Sequence, residues 1–322
     1  MNDKPVKLPI SVSVQQLRDL CEGVREYTLA AVDGCVLPAF EAGAHIDITA
    51  PNGQTRQYSL CNTAGDCRSY IIAVRRESDG RGGSIAIHDQ LQLNSVVTVS
   101  GLRNAFPLAV NAPRSLLFAA GIGITPLLAM ARTLQSSGQP FHLHYSVPTA
   151  TQAPYLEELR SDPFAGKLSV YFSREQGRID APAVLANADP TAHIYVCGPQ
   201  QYRDYILQSA RNAGWPEAQL HYEAFATEIN AADNKPFDVV IASTGARVAV
   251  RPTQTIVDAL DENGVTVPVS CEVGTCGTCY VGVKEGEVDH RDAFLTEDEK
   301  ASQEHILTCC SRALSDTLVL DL

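Results

Sequence analysis

The 322-residue sequence has no apolar run of the roughly 18 residues that a membrane span requires. Its nearest approach, residues 115–131, is broken by Gly121, Gly123 and Pro126. Positive charge is also scarce. Lys and Arg number 25 against 37 Asp and Glu, a formal net charge of −12, which argues against a nucleic-acid surface. The N-terminus lacks a basic start followed by an apolar core, so no secretory signal is read and a cytoplasmic protein is expected. Internal repeats and low-complexity tracts are missing too. What remains is an ordinary globular balance, 45% hydrophobic and 19% charged, in a chain long enough for two or three domains. A monomer is expected, with neither membrane nor nucleic acid as a partner.

Against these absences stand ten cysteines. A cytoplasmic protein rarely stores so many as disulfides, so clustered ones suggest metal or redox chemistry. Cys21, Cys35, Cys61, Cys67 and Cys197 are scattered, and isolated thiols usually behave as small buried hydrophobes. The others are Cys271, Cys276, Cys279, Cys309 and Cys310. Cys271, Cys276 and Cys279 form C-x4-C-x2-C, and Cys309 follows 30 positions after Cys279. That is the plant-type spacing for a 2Fe–2S cluster. Four thiolates must hold two irons, and Gly274 and Gly277 let the loop turn its N–H groups toward the sulfurs. Structural zinc sites favour paired C-x2-C knuckles, and only one such pair is present. Cys309 is the expected fourth ligand on spacing, with Cys310 left to packing. Acidity concentrates in the same region. Residues 233–322 carry 16 Asp and Glu against 7 Lys and Arg, a net of −9. Either a solvated face or an electrostatically steered docking surface accounts for it.

Punctuation along the chain divides it further. Residues 1–108 read as short strands, such as Ile46–Thr49, Tyr70–Val74 and Val96–Val99, which suggests a small antiparallel barrel. Strands then alternate with helices: strand Ser115–Ala119, helix Leu127–Leu134, strand Phe141–Ser146 and helix Ala153–Leu159. Strands Leu168–Phe172 and His193–Cys197 and helix Gln201–Ala213 follow, predicting a parallel α/β sheet. Thr227–Pro236 reads as a linker. Beyond it, Phe237–Ala242 and Arg247–Val250 can pair as a hairpin, and Thr255–Asn263 has helical spacing that Gly264 stops.

Two motifs lie in the barrel. Arg56-Gln57-Tyr58-Ser59 alone could be an ordinary strand. Gly80-Arg81-Gly82-Gly83-Ser84 precedes an apolar stretch, where glycines at a helix start can offer N–H groups to a phosphate. A surface turn is the plainer reading. In the α/β region, Gly121-Ile-Gly123-Ile-Thr125-Pro126 follows a strand and opens a helix, with Thr125-Pro126 replacing the last glycine of G-x-G-x-x-G. Cys197-Gly198-Pro199 makes a second turn after a strand. Turns at the carboxyl ends of parallel strands mark a ligand crevice.

Together these motifs resemble the ferredoxin–NADP reductase superfamily, whose barrel carries R-x-Y-S/T. The resemblance implies that Arg56 meets a flavin phosphate, Tyr58 lies against the isoalloxazine and Ser59 bonds near its reactive nitrogen. Gly82, Gly83 and Ser84 would cap the phosphate, and Ala73, Val74 and Arg75 would line the site. G-x-G-x-T-P and C-G-P match that superfamily's nicotinamide domain, so Gly121, Gly123, Thr125, Pro126, Cys197, Gly198 and Pro199 are assigned there. His221-Tyr222-Glu223-Ala224-Phe225 resembles H-x-E-x-F, with Phe225 bordering the flavin. Ser59, Cys197 and Glu223 are then the candidates closest to the chemistry. Ser173-Arg174 resembles a 2′-phosphate grip but reads more readily as a solvent-exposed turn; NADPH stays open, with NADH leading on the order of the modules.

The cysteine loop resembles a plant-type ferredoxin domain, which implies a β-grasp fold. The order barrel, nicotinamide domain, ferredoxin resembles the phthalate dioxygenase reductase family over nearly the whole chain. That resemblance implies three modules: an FMN-binding antiparallel β-barrel (1–108), a parallel α/β NAD(P)H-binding domain (109–230) and a β-grasp ferredoxin domain (231–322). It implies FMN rather than FAD, a 2Fe–2S cluster, and electron delivery to a separate Rieske-type oxygenase. Two departures stand out: Gly101-Leu102 where a proline is expected, and Ser146-Val147-Pro148 where an arginine is common. A reductase for another monooxygenase system, or a redox sensor that keeps the cofactors without turnover, are the alternatives.

Overall fold

The computed structural model describes residues 8–78, 81–110, 112–225 and 234–322. The chain divides into two compact units, Met1–Glu223 and Ala224–Leu322. The boundary expected at 230/231, residues 227–233 of the expected linker, and Gly80 lie outside the described residues.

The first unit opens with β1 (Ile10–Cys21), β2 (Val24–Ala31), β3 (His45–Thr49), β4 (Thr55–Ser59) and β5 (Tyr70–Arg75). Helix α1 (Gly83–Gln90) and β6 (Val96–Arg103) follow. Alternation drives the strands: Ile10, Val12 and Val14 point inward while Ser11 is exposed. The six strands form one antiparallel sheet in the order β4-β3-β6-β1-β2-β5. Leu60 bridges to Ile72, so the two ends of that order meet and the sheet curls into a barrel. The long β1–β2 hairpin was not among the strands read from the sequence.

A parallel sheet follows. Its elements are β7 (Ser115–Ala120), α2 (Ile124–Ser136), β8 (Phe141–Val147), α3 (Leu156–Arg160) and β9 (Leu168–Phe172). Next come α4 (Ala181–Ala186), β10 (His193–Cys197), α5 (Gln200–Asn212) and β11 (Leu220–Glu223). The order is β11-β10-β7-β8-β9, every pair parallel. Central β7 is buried at all six positions, as a strand covered on both faces must be. The helix expected over Ala153–Leu159 is shorter, Leu156–Arg160. Ala153 precedes Pro154 and is extended, φ −111° and ψ 90°, since a following proline disfavours the helical region. Helix α4 was not read from the sequence.

The barrel and the parallel sheet share a core. Val24, Ala42, Cys61, Ala73 and Phe106 pack in one cluster with Leu117, Leu127, Leu128 and Tyr195. Arg132 of α2 ties this seam. Its Nη1 donates to the Cys61 carbonyl at 2.5 Å, its Nε to Glu158 Oε1 at 3.1 Å, and its Nη2 to the same carboxylate. Glu158 also faces Arg18 of β1 at 3.9 Å, and Arg18 holds Glu26 of β2 at 3.0 Å. The Tyr155 ring lies beside both guanidinium groups, 5.8 and 6.0 Å from its centroid.

The second unit contains β12 (Phe237–Ile241), β13 (Arg247–Val250), α6 (Ile256–Glu262), β14 (Tyr280–Glu285) and β15 (Val288–Asp289). It ends with α7 (Glu297–Ser302), β16 (His305–Leu307), β17 (Arg312–Ala313) and β18 (Thr317–Leu320). The sheet order is β13-β12-β18-β14-β16, with the first and last strands, β12 and β18, parallel at its centre. This is the β-grasp arrangement. The expected hairpin is β12–β13. Thr255 and Asp258 form a capping box at the start of α6. Buried Arg312 donates to the carbonyls of Gln254, Lys235 and Arg251 at 2.7, 3.0 and 3.2 Å. Among the described residues no helix is long and apolar enough to cross a membrane.

Arg132→Leu should lower the stability of the first unit by about 1–3 kcal/mol, because it strands a carboxylate and a carbonyl at once. Arg132→Lys should recover less than half of the loss, since an ammonium lacks the guanidinium fork. Urea unfolding reads both. A leucine variant within about 0.5 kcal/mol of wild type, the scatter of ordinary surface changes, would show that the clamp contributes nothing.

Candidate functional site

The two barrel motifs meet in space. Arg56 lies on β4, where its Nη1 donates to the Thr55 carbonyl and its Nη2 to Gln54 Oε1, both at 2.8 Å. A Cβ at Gly83 would stand 2.9 Å from Arg56 Cγ and 3.0 Å from its Nε. Only glycine lets the guanidinium lie against the start of α1. That helix has no side-chain cap and no acidic residue in its first turn, and Gly82 sits left-handed at φ +86°. A helix start without a side-chain cap beside an arginine can serve as an anion cradle. Ser84 Oγ accepts the Glu77 amide at 3.1 Å, which leaves its own proton free to donate. Residues of the right chemistry for a flavin phosphate are therefore together.

Other members of this set take different positions. Gln57 donates to Asp47 at 3.0 Å, and Arg103 binds the same carboxylate. A Cβ at Gly101 would clash with Asp47 Oδ2 at 2.4 Å, which explains glycine where proline was expected. Ala73 and Val74 are buried in the core, so only their backbone can meet a ligand. Arg75 points outward and pairs with Glu77 at 3.0 Å. Tyr58 is half-buried against the barrel core.

The glycine turns also converge. Gly121–Gly123 is a short 3-10 turn between β7 and α2. A Cβ at Gly123 would stand 2.3 Å from the Cys197 carbonyl oxygen and 2.8 Å from the Gly198 nitrogen. The two turns pack backbone against backbone at the carboxyl ends of adjacent strands, where an open α/β sheet binds its ligand. Thr125 Oγ1 donates back to the Ile122 carbonyl at 3.0 Å, so it braces the turn. Pro126 is buried in α2, and Pro199 precedes α5 as its cap. Ser146 faces the Tyr202 hydroxyl at 3.5 Å, where an arginine was expected. Ser173 and Arg174 are exposed just past β9, their N–H groups donating to the carbonyls of Val147 and Pro148.

Where the barrel meets the parallel sheet, Ser59, Cys197 and Glu223 are brought near one another by strand pairing. Cys197 pairs with Glu223 across β10–β11. Ser59 pairs with His45 across β4–β3, and His45 Nδ1 reaches Glu223 Oε1 at 4.0 Å. Burial pushes the Glu223 carboxyl up to about 8. Burial, and then the neighbouring Glu223 charge, push the Cys197 thiol well above its ordinary range. Cys197 is thus a neutral, fully buried thiol and not a thiolate nucleophile. His45 was missed in the sequence because no motif contains it. Phe225 is 44% exposed.

In the second unit, the cysteine loop lies between α6 and β14, with Cys309 after β16. Cys271 interacts directly with Cys276 and Cys309, and Cys279 with Cys309. The sulfurs meet pairwise. Among the described residues, no three His, Cys, Asp or Glu form a group set to hold a single metal ion. Backbone N–H groups of Val273 and Thr275 donate to Cys271 Sγ, each at 3.4 Å, as thiolates in a cluster require. Cys310 Sγ turns toward the Leu307 carbonyl at 3.8 Å and fills the space beside Gly274, whose Cβ would stand 2.5 Å from it. The donor set fits a two-iron cluster held by Cys271, Cys276, Cys279 and Cys309.

Residues 239–314 match the family model described as a 2Fe-2S iron-sulfur cluster binding domain. The vanillate O-demethylase oxidoreductase of Pseudomonas sp. (strain HR199 / DSM 7063) is 43% identical over 316 residues, 97% of this chain and 100% of that one. The phthalate dioxygenase reductase of Burkholderia cepacia is 38% identical over 317 residues, 97% of each chain. A solved phthalate dioxygenase reductase, described as a modular structure for electron transfer from pyridine nucleotides to a 2Fe–2S centre, superposes with a TM-score of 0.77. It is 37% identical and covers 98% of both chains. With barrel, parallel sheet and β-grasp in the same order, the chain belongs to the phthalate dioxygenase reductase family, the oxidoreductases that serve as reductase components of oxygenase systems.

Proposed function

We propose that this chain takes hydride from NADH, holds FMN and a 2Fe–2S cluster, and delivers electrons singly to a separate Rieske-type oxygenase. The observation that carries the reading is the meeting of Arg56 with Gly83 at an uncapped helix start, in the same unit as the paired glycine turns. Bound FMN supplies the conversion of a two-electron hydride into single electrons, and the cluster carries them one at a time.

The chain's own residues do the holding. Arg56, Gly82, Gly83 and Ser84 bind the flavin phosphate, with the backbone of residues 73–75 alongside. Tyr58 covers the ring and Ser59 bonds at its edge. Gly121, Gly123, Thr125 and Pro126 form the turn that receives the dinucleotide diphosphate, and Gly198 and Pro199 shape the wall opposite. Cys197, as a neutral thiol, excludes water and charge from the nicotinamide pocket. Ser173 and Arg174 let NADPH serve as a poorer donor than NADH. Cys271, Cys276, Cys279 and Cys309 ligate the cluster. Such thiolates need a reducing compartment, which supports a cytoplasmic protein, with a monomer as the default. The net −9 of residues 233–322 gives the cluster-bearing unit a surface for a basic acceptor.

Purified protein should show flavin and iron–sulfur absorbance, release FMN in acid, and reduce cytochrome c with NADH. Colourless protein that retains zinc would reject the reading. Cys309→Ser should lose the cluster spectrum, whereas Cys310→Ser should keep it; the reverse pattern would exchange their roles. The rate of electron delivery to the oxygenase should fall as salt rises, because screening acts over about 10 Å at 0.1 M. A rate independent of ionic strength would remove the docking role of the acidic surface.

A further inference from the structure

Two buried ionisable side chains face each other where the barrel meets the parallel sheet, and the packing alone does not account for them. His45 on β3 and Glu223 on β11 have side chains only 9% and 12% exposed, with Nδ1 and Oε1 4.0 Å apart. The second carboxyl oxygen, Glu223 Oε2, is buried without a hydrogen-bond partner. Ser59 stands beside His45, and Cys197 beside Glu223. A histidine and a carboxylic acid are costly to bury, so they persist where their proton is used.

We propose that His45 is a positioning residue for the hydride-transfer site: it fixes the Glu223 carboxyl and shares one proton with it. This rests on the cofactor reading given above. The step is a proton transfer within the pair. The O–H bond of the neutral carboxyl breaks as an N–H bond forms on the imidazole, and the pair's net charge stays at zero. A separation of 4.0 Å is too long for a hydrogen bond, and closing it by about 1 Å, or through one water, makes the transfer possible. The pair thereby offers two charge distributions at one net charge. One leaves the pocket neutral, and the other places an imidazolium beside Ser59.

The charged and titratable groups around the pair have partners of their own or are held neutral. Arg103 of β6 stands next to His45 but binds Asp47, which Gln57 also holds. Arg203 of α5 donates to the Gly198 carbonyl at 3.3 Å. Cys197 of β10 stays protonated. His221, two residues before Glu223, is hydrogen-bonded to His193 at 2.9 Å and is held neutral by burial. With burial raising the Glu223 carboxyl to about 8, the pair keeps its proton through neutral pH and loses it above.

The test uses the holoprotein in two measurements. Stopped-flow reduction of the bound flavin by NADH should slow as pH rises through about 8. In His45→Gln the inflection should move downward, because the variant removes one of the two places where the pair can hold its proton. The limiting rate should fall at least about fivefold, with NADH affinity within about twofold, as for an interaction made in the reacting state. Glu223→Gln should abolish the inflection. Independently of turnover, Glu223→Gln should move the NMR titration of the His45 imidazole to lower pH. His45→Asn replaces the glutamine variant if the latter does not fold. A His45→Gln profile of unchanged shape, whatever its height, or an imidazole titration unmoved by Glu223→Gln, overturns the proposal. A wild type whose flavin NADH does not reduce at any pH overturns the cofactor reading instead, and the NMR result still reports on the pair.

Discussion

Arg132 cannot be buried at the barrel–sheet seam without acceptors for its fork, and those acceptors come from different elements. One is the Cys61 carbonyl beyond β4, and the other is Glu158 of α3. The residue thus fixes a distance between two motifs. Cys61 lies two residues past Ser59, and α2 begins at Ile124, just past the Gly121–Gly123 turn and about two helical turns before Arg132. If α2 shifted along its axis, the guanidinium would lose the carbonyl and the glycine turn would move with it. Ion pairs alone contribute little at a surface. Here Arg132 and Glu158 are only 18% and 29% exposed, and the shared core of Cys61, Ala73, Leu127 and Leu128 keeps water from replacing the bonds. Core packing and the Arg132 clamp therefore hold the barrel motif and the glycine turn in a fixed relation to each other.

Backbone proximity places the second constraint. The Gly123 and Gly198 turns approach so closely that no side chain fits at Gly123. The same closeness buries Cys197 and Glu223, since the strand that ends at Cys197 pairs with the one that ends at Glu223. Desolvation then sets both protonation states in the same direction, toward neutrality. In the proposed reading, in which this pocket receives a hydride donor, such neutrality is an advantage. Fixed charge there would be costly before the reaction and would bias it afterwards.

How much of this was legible in the sequence depended on how local the physics is. The C-x4-C-x2-C loop could be read because one loop must wrap one cluster, so the spacing is written into consecutive residues. The glycine turns could be read for the same reason, and the α/β alternation gave strands β7 to β10 nearly residue by residue. Helix α3 was misread because Ala153–Leu159 is helical in composition, while the constraint from Pro154 on its neighbour outweighs propensity. The β1–β2 hairpin escaped because polar and charged residues, such as Gln15, Gln16 and Arg18, interrupt its alternation. His45, Arg132 and Asp47 were illegible for a different reason. Each acts through a partner distant in the chain, and a single histidine or arginine on a strand or helix looks like any other.

The distribution of charge follows the division of labour. In the proposed reading the first unit takes a phosphate-rich dinucleotide and a flavin phosphate, and it would meet them with Arg56, helix starts without side-chain caps and turn N–H groups rather than with bulk positive charge. Residues outside 233–322 are net −3, so specificity there must come from directed donors at short range. The second unit carries most of the excess negative charge, and an iron–sulfur loop held by four thiolates adds more when the cluster is bound. A negative surface close to a one-electron carrier lowers the potential of that carrier and attracts a basic acceptor at the same time. In the proposed reading both effects favour electrons leaving the cluster; Glu297 and Asp298 on exposed α7 contribute to that charge, while Glu299 also caps the helix.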